Sequence, residues 1–189
     1  MKYHTAYSRA FTIIELLIAI SISTIMILIL TNTYLGYMRT YNTQQTYTSL
    51  ARSTSSIMNI ATRAAQQAKG ITYSHTFGGT NYTTGSTTVI FQLPSIDVSG
   101  NAIAGTYDFI GIYASGTDAY TAFDQGSGSV RGGRTAVLTS HDLSDLTFIY
   151  SNADPTAATK LDIYVTASST RYGYASMSYL HQQVYMRNK

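Results

Sequence analysis

The chain has 189 residues, of which only 11% are charged, and carries a formal net charge of +3 with no cysteine. Without cysteine there is no disulfide framework and no thiolate metal site. Two of the three excess positive charges are matched by Lys2 and Arg9 near the start, so the basicity argues only weakly for a nucleic-acid partner. At this length the expectation is one globular domain plus an N-terminal segment.

That segment opens with residues 1–10, which contain Lys2 and Arg9 and no acid. An apolar run of 20 residues follows, 11–30, interrupted once by Glu15, the only glutamate in the chain. At about 1.5 Å per residue the run reaches across roughly 30 Å of hydrocarbon. A basic flank ahead of it predicts a cytoplasmic N-terminus and an exported remainder. A cleaved secretory signal is the competing reading, but its apolar core is normally only about 7–15 residues and ends at a small-residue site. The sequence Thr31-Asn-Thr-Tyr-Leu-Gly-Tyr-Met-Arg39 has no such pattern. A carboxylate near the centre of a span costs roughly 2.5–3.5 kcal/mol on insertion scales, so Glu15 calls for a partner.

No proline and one glycine, Gly36, occur between Phe11 and Lys69. Leu50, Ile57, Ala61, Ala64 and Ala68 mark a helical stripe, with Arg52, Arg63 and Gln66 off it. Lys69-Gly70 reads as a helix stop. The expectation is one helix over 11–69, apolar all round in its first third and amphipathic in its last.

Beyond Gly70 the chain reads as strands at 71–75, 88–93, 107–113, 119–123, 134–139, 146–150, 161–166 and 175–186, rich in Val, Ile, Thr, Tyr and Phe. Turn signals lie at Gly78-Gly79, Pro94-Ser95, Ser99-Gly100-Asn101, Gly126-Ser-Gly128 and Asp154-Pro155. The alternation in Leu161-Asp-Ile-Tyr-Val is partial and leaves the two faces of that strand undecided. The fold class expected is α+β, a long N-terminal helix on a mostly antiparallel sheet.

The stretch Arg9-Ala10-Phe11-Thr12-Ile13-Ile14-Glu15-Leu16-Leu17-Ile18-Ala19-Ile20 resembles the prepilin-type cleavage and methylation motif of the type IV pilin and pseudopilin superfamily. The resemblance implies a leader at 1–10, a transmembrane and filament-core helix half at 11–35, an amphipathic half at 36–69 and a pilin-like β-rich domain at 70–189. It implies cleavage by a prepilin peptidase between Ala10 and Phe11, N-methylation of Phe11, and assembly through Glu15, which would face the Phe11 amine of a neighbouring subunit. The partners implied are that peptidase, other pilin subunits, the cytoplasmic membrane and, indirectly, an assembly platform with its ATPase. Localisation would pass from a single-pass membrane form to an extracellular or periplasmic filament. Where the family usually has glycine before the cut, this chain has Ala10. The end, Gln183-Val-Tyr-Met-Arg187-Asn188, resembles the closing strand of some minor pilins, and the missing cysteine pair tilts the same way.

Enzymatic chemistry finds little support. His4, His75, His141 and His181 are scattered, without the His-Glu-x-x-His spacing of a zinc peptidase. Ser140, His141, Asp142 and Asp145 read as a polar turn before the strand at 146–150. The glycine-rich stretch 126–133 lacks dinucleotide-fingerprint spacing and reads as a flexible loop. No enzyme activity, cofactor or metal is expected. Among the 17 tyrosines, Tyr172, Tyr174, Tyr179 and Tyr185 lie near Arg171 and Arg187. Such a pairing can stack on single-stranded bases, although half-buried sheet positions explain tyrosines more simply. Asn81-Tyr-Thr83 fits a glycosylation sequon. The alternative to a filament subunit is a single-pass membrane-anchored binding module that does not polymerise.

Overall fold

The computed structural model describes residues 12–132, 137–171 and 174–186. Among these residues a 55-residue helix, α1 (Ile13–Gln67), precedes ten strands. These are β1 (Gly70–Ile71), β2 (Ser74–Phe77), β3 (Thr80–Thr83), β4 (Thr88–Ile96), β5 (Ala102–Ser115), β6 (Asp118–Asp124), β7 (Val137–Ser140), β8 (Leu143–Tyr150), β9 (Lys160–Arg171) and β10 (Tyr174–Tyr185). By contacts the chain divides into two units, one ending at Gln44 and one starting at Gln45.

In the first unit nothing among the described residues packs on the helix, and every residue from 13 to 41 is exposed. Its hydroxyls turn back on the helix instead. Ser21, Ser23, Thr24 and Thr33 donate to the carbonyls of Leu17, Ala19, Ile20 and Ile29 at 2.7–2.9 Å. Bonding to the i−4 carbonyl satisfies these donors within the helix and leaves an apolar surface.

In the second unit the sequence stripe is the buried face of α1. Leu50, Ile57, Ala61, Ala64 and Ala68 are buried, and so are Thr54, Met58 and Ala65. Thr54 escaped the stripe because it is polar. Its hydroxyl bonds Leu50 O, Ala51 O and Ser178 Oγ at 3.0–3.2 Å, so helical period and polarity are reconciled by a hydrogen bond to β10. This face packs with Val89, Phe91, Phe148, Leu161, Ile163 and Val165 into one core.

Three antiparallel sheets, rather than a single one, surround that core: β1-β4-β5-β6-β7, β10-β9-β8 and the hairpin β2-β3. Gly78 and Gly79 have φ of 54° and 88° and close the hairpin as a type I′ turn. The hairpin lies on the five-stranded sheet through a second cluster, Phe77, Ile90 and Ala122 with Tyr82, Phe109 and Tyr113. Gly111 permits the approach, since a Cβ there would fall 2.8 Å from the Phe77 ring.

Several expectations need correction. Gly70 is no C-terminal cap; α1 stops at Gln67 because the Lys69 amide is captured by Gln92 O at 2.8 Å, and Gly70 already pairs with Gln92 in β1. The strand expected at 71–75 divides into β1 and β2, and β3 adds a strand that was not anticipated. Pro94-Ser95 is not a turn but lies inside β4, at a register shift where a missing N–H is tolerated. Asp145 belongs to β8, not to a loop. In β9 the alternation is complete: Leu161, Ile163, Val165 and Ala167 are buried, and Asp162 and Tyr164 lie on the other face. Tyr164 blurred the pattern because an aromatic ring can serve a half-exposed face, where it stacks on His181 at 4.3 Å.

Candidate functional site: the helix start and the buried Asp108

Thr12 and Glu15 form a reciprocal cap at the start of α1. Thr12 N and Oγ1 donate to Glu15 Oε2 at 2.9 and 3.0 Å, and Glu15 N donates to Thr12 Oγ1 at 3.3 Å. A helix start leaves four N–H groups without intrahelical partners, and the Thr-x-x-Glu box gives acceptors to the backbone N–H groups of Thr12 and Glu15 while placing a carboxylate at the positive end of the dipole. The signal, Thr12-Ile-Ile-Glu15, was open to sequence reading and was missed there. Between Glu15 and Arg39 no Asp, Glu, Lys, Arg or His occurs, so the carboxylate is the single charge on this apolar stretch. Ala10 and Phe11 lie outside the described residues.

The second unit contains a buried carboxylate. Asp108, on β5, is fully buried, and four donors meet it: Ser95 Oγ (2.9 Å) and Gly126 N (2.8 Å) on Oδ1, Ser129 Oγ (2.9 Å) and Arg131 Nε (3.1 Å) on Oδ2. Arg131 continues to Gln67 Oε1 at 2.7 Å, at the end of α1, and to Pro94 O at 3.3 Å. The segment expected to be a flexible loop is therefore held, through residue 131, by the carboxylate it crosses. With every lone-pair direction committed, Asp108 serves as a structural tie.

The three histidines among the described residues do not converge, and His4 lies outside them. His75 pairs with Asp124 at 2.8 Å, His141 with Asp118 at 3.0 Å and His181 with Asp162 at 3.3 Å, in three separate places. Asp145 instead accepts from Thr147. Among the described residues no group of three His, Cys, Asp or Glu side chains could hold a metal.

On the outward face of β8-β9-β10, cross-strand neighbours share a face. Tyr179, Tyr185 and His181 are exposed there, with Tyr164 half-buried beside them. Asp162 accepts from Gln183 at 2.9 Å, and chiefly that bond, with His181 and Lys160 adding, holds its carboxyl below the ordinary range. Asp145 shares the face through Thr166. These carboxylates beside the tyrosines oppose a phosphate backbone. Tyr172 and Arg187 lie outside the described residues.

Together these features define a class: an α+β protein with one helix long and apolar enough to cross a membrane and a β-rich domain that follows it. The comparisons sharpen the N-terminus. Residues 5–31 match the family described as the prokaryotic N-terminal methylation motif, which supports a type IV pilin-like prepilin leader. That motif indicates a structural subunit processed at its N-terminus and anchored in a membrane. No curated protein and no solved structure matches the chain.

Proposed function

We propose that this chain is a structural subunit of a type IV pilus-like or type II secretion-like filament. The observation that carries the reading is the methylation motif placed on an uncovered apolar helix with a single carboxylate at its start. A prepilin peptidase cuts between Ala10 and Phe11 on the cytoplasmic side, and the new Phe11 amine is methylated. Alanine is the smallest replacement for the usual glycine and fits a tight peptidase site. The subunit waits in the membrane, N-terminus inward, until the assembly platform and its ATPase draw it into the filament, where α1 joins the core and the β-domain stays outside.

Glu15 supplies the register. Both Thr12 bonds end on Oε2, which leaves Oε1 to accept from a neighbour's Phe11 ammonium. Each group is costly alone in an apolar core, and removing one partner of such a pair typically costs about 3–5 kcal/mol. Misaligned helices are rejected on that account.

The test is Glu15→Lys in the native host, with sheared filaments assayed for the subunit and its N-terminus sequenced. The expected result is normal removal of residues 1–10 and loss of incorporation. Unchanged incorporation of the variant would remove the mechanism and favour the non-polymerising membrane-anchored module.

A further inference from the structure

Immediately beyond the apolar run, α1 carries three exposed tyrosines, Tyr34, Tyr37 and Tyr41, with exposures of 61%, 65% and 50%. Their spacing of three and four places them within an arc of about 60° on the helix. They continue the line of Ile27 and Leu30, and the Tyr37 and Tyr41 rings are stacked with centroids 6.3 Å apart. No residue packs on this stripe among the described residues of its unit, and helical amphipathicity toward the β-domain core begins only at Thr46.

Their axial position identifies what covers them. Counted from Glu15, where the charge belongs at the inner boundary, Tyr34 lies ~29 Å along the helix, Tyr37 ~33 Å and Tyr41 ~39 Å. A bilayer has a hydrocarbon core of ~30 Å and measures ~40–45 Å with its headgroup layers. The three rings therefore bracket the outer headgroup layer. Tyrosine suits that layer because its ring is apolar and its hydroxyl is wet. Arg39, the first cation after Arg9, falls at ~36 Å by the same count, at the depth of the lipid phosphates.

We propose that Tyr34, Tyr37 and Tyr41 are a one-sided interfacial anchor whose partner is the outer headgroup layer of the bilayer, and that they set the depth and rotation at which α1 is stored. Tilt and rotation of a single helix are governed by such interfacial side chains rather than by apolar length. A stripe on one face also fixes which side of the helix turns toward the lipid surface. The inference rests on the membrane-spanning reading and is independent of filament assembly.

The absence of native cysteine makes a direct test clean. The full chain is inserted in phosphatidylethanolamine–phosphatidylglycerol vesicles with the β-domain outside, single cysteines are introduced in turn from residue 28 to residue 44, and a membrane-impermeant maleimide is added outside. Labelling is expected to change from blocked to open across the tyrosine stripe. The triple variant Tyr34→Ser, Tyr37→Ser, Tyr41→Ser keeps residues 13–30 and still spans, and it is expected to shift that boundary by at least one helical turn, ~5.4 Å. The triple Tyr→Trp variant is expected to leave it in place. A boundary unmoved by serine, or moved as far by tryptophan as by serine, overturns the anchor. Open labelling at a cysteine placed at residue 20 would instead overturn the spanning helix itself, with no bearing on Glu15 in filaments.

Discussion

Arg131 Nε lies 3.1 Å from Oδ2 of the fully buried Asp108, and the same guanidinium reaches Gln67 at the end of α1. One ion pair thus ties the loop after β6 to β5 and to the helix. Asp108→Ala leaves Arg131 and two hydroxyls facing a cavity, and breaking such a pair typically costs about 3–5 kcal/mol. Arg131→Met keeps three donors on Asp108, so the loss is nearer the ~1.5–3 kcal/mol of a charge-assisted bond. Urea denaturation of both variants followed by circular dichroism gives the comparison. Equal losses would show that the guanidinium alone holds the carboxylate.

Gly126 is required by space rather than by backbone angle. A Cβ there would lie 2.4 Å from Ser95 Oγ and 2.5 Å from Tyr107 O. Because one obstacle is backbone, Gly126→Ala is expected to cost about 1–3 kcal/mol by overpacking. Gly85, with nothing within 4 Å of an added Cβ, is the control, and Gly85→Ala is expected to stay within about 0.5 kcal/mol of the native chain. Thermal melts of the two alanine variants decide the matter, and similar melting points would contradict it.

Asp162 makes stability depend on acid. Its carboxyl lies below the ordinary value, first because Gln183 donates to it and then because His181 and Lys160 do. The unfolded chain therefore binds a proton before the folded one does. The contribution is fully present above the ordinary aspartate pKa of about 3.9 and is lost as pH falls through the lower folded value. Asp162→Asn is expected to flatten the acid limb of a stability–pH curve by lowering stability near neutrality and changing little at the acid end, where the native carboxyl is already protonated. An acid limb as steep as the native one would place the dependence elsewhere.

Local period made much of this fold readable. Leu50, Ile57, Ala61, Ala64 and Ala68 recur with the helical turn, and the structure buries all five. The core of each expected strand falls within a strand wherever residues are described, except at 71–75, where the chain leaves β1 to form a hairpin. Glu15 could be singled out because charge is rare in an apolar run, and its neighbour Thr12 stood three residues away in a recognisable box. Asp108 could not, since its partners Ser95, Gly126, Ser129 and Arg131 lie 13 to 23 residues off, on another strand and a loop. Nothing local marks a carboxylate for burial.

By itself, the sequence determined the anchor and the arrangement of chemistry along it, because hydropathy and helical period act over a few neighbouring residues. A basic start, a single acid, an apolar run, a tyrosine stripe and an amphipathic end follow one another in order. Only the tertiary structure decided that, among the described residues, the β-region forms three sheets, the loop after β6 is tied to Asp108, and His75, His141 and His181 separate into three aspartate pairs. Those outcomes depend on which distant groups must satisfy one another once water is excluded, and separation along the chain carries no record of that.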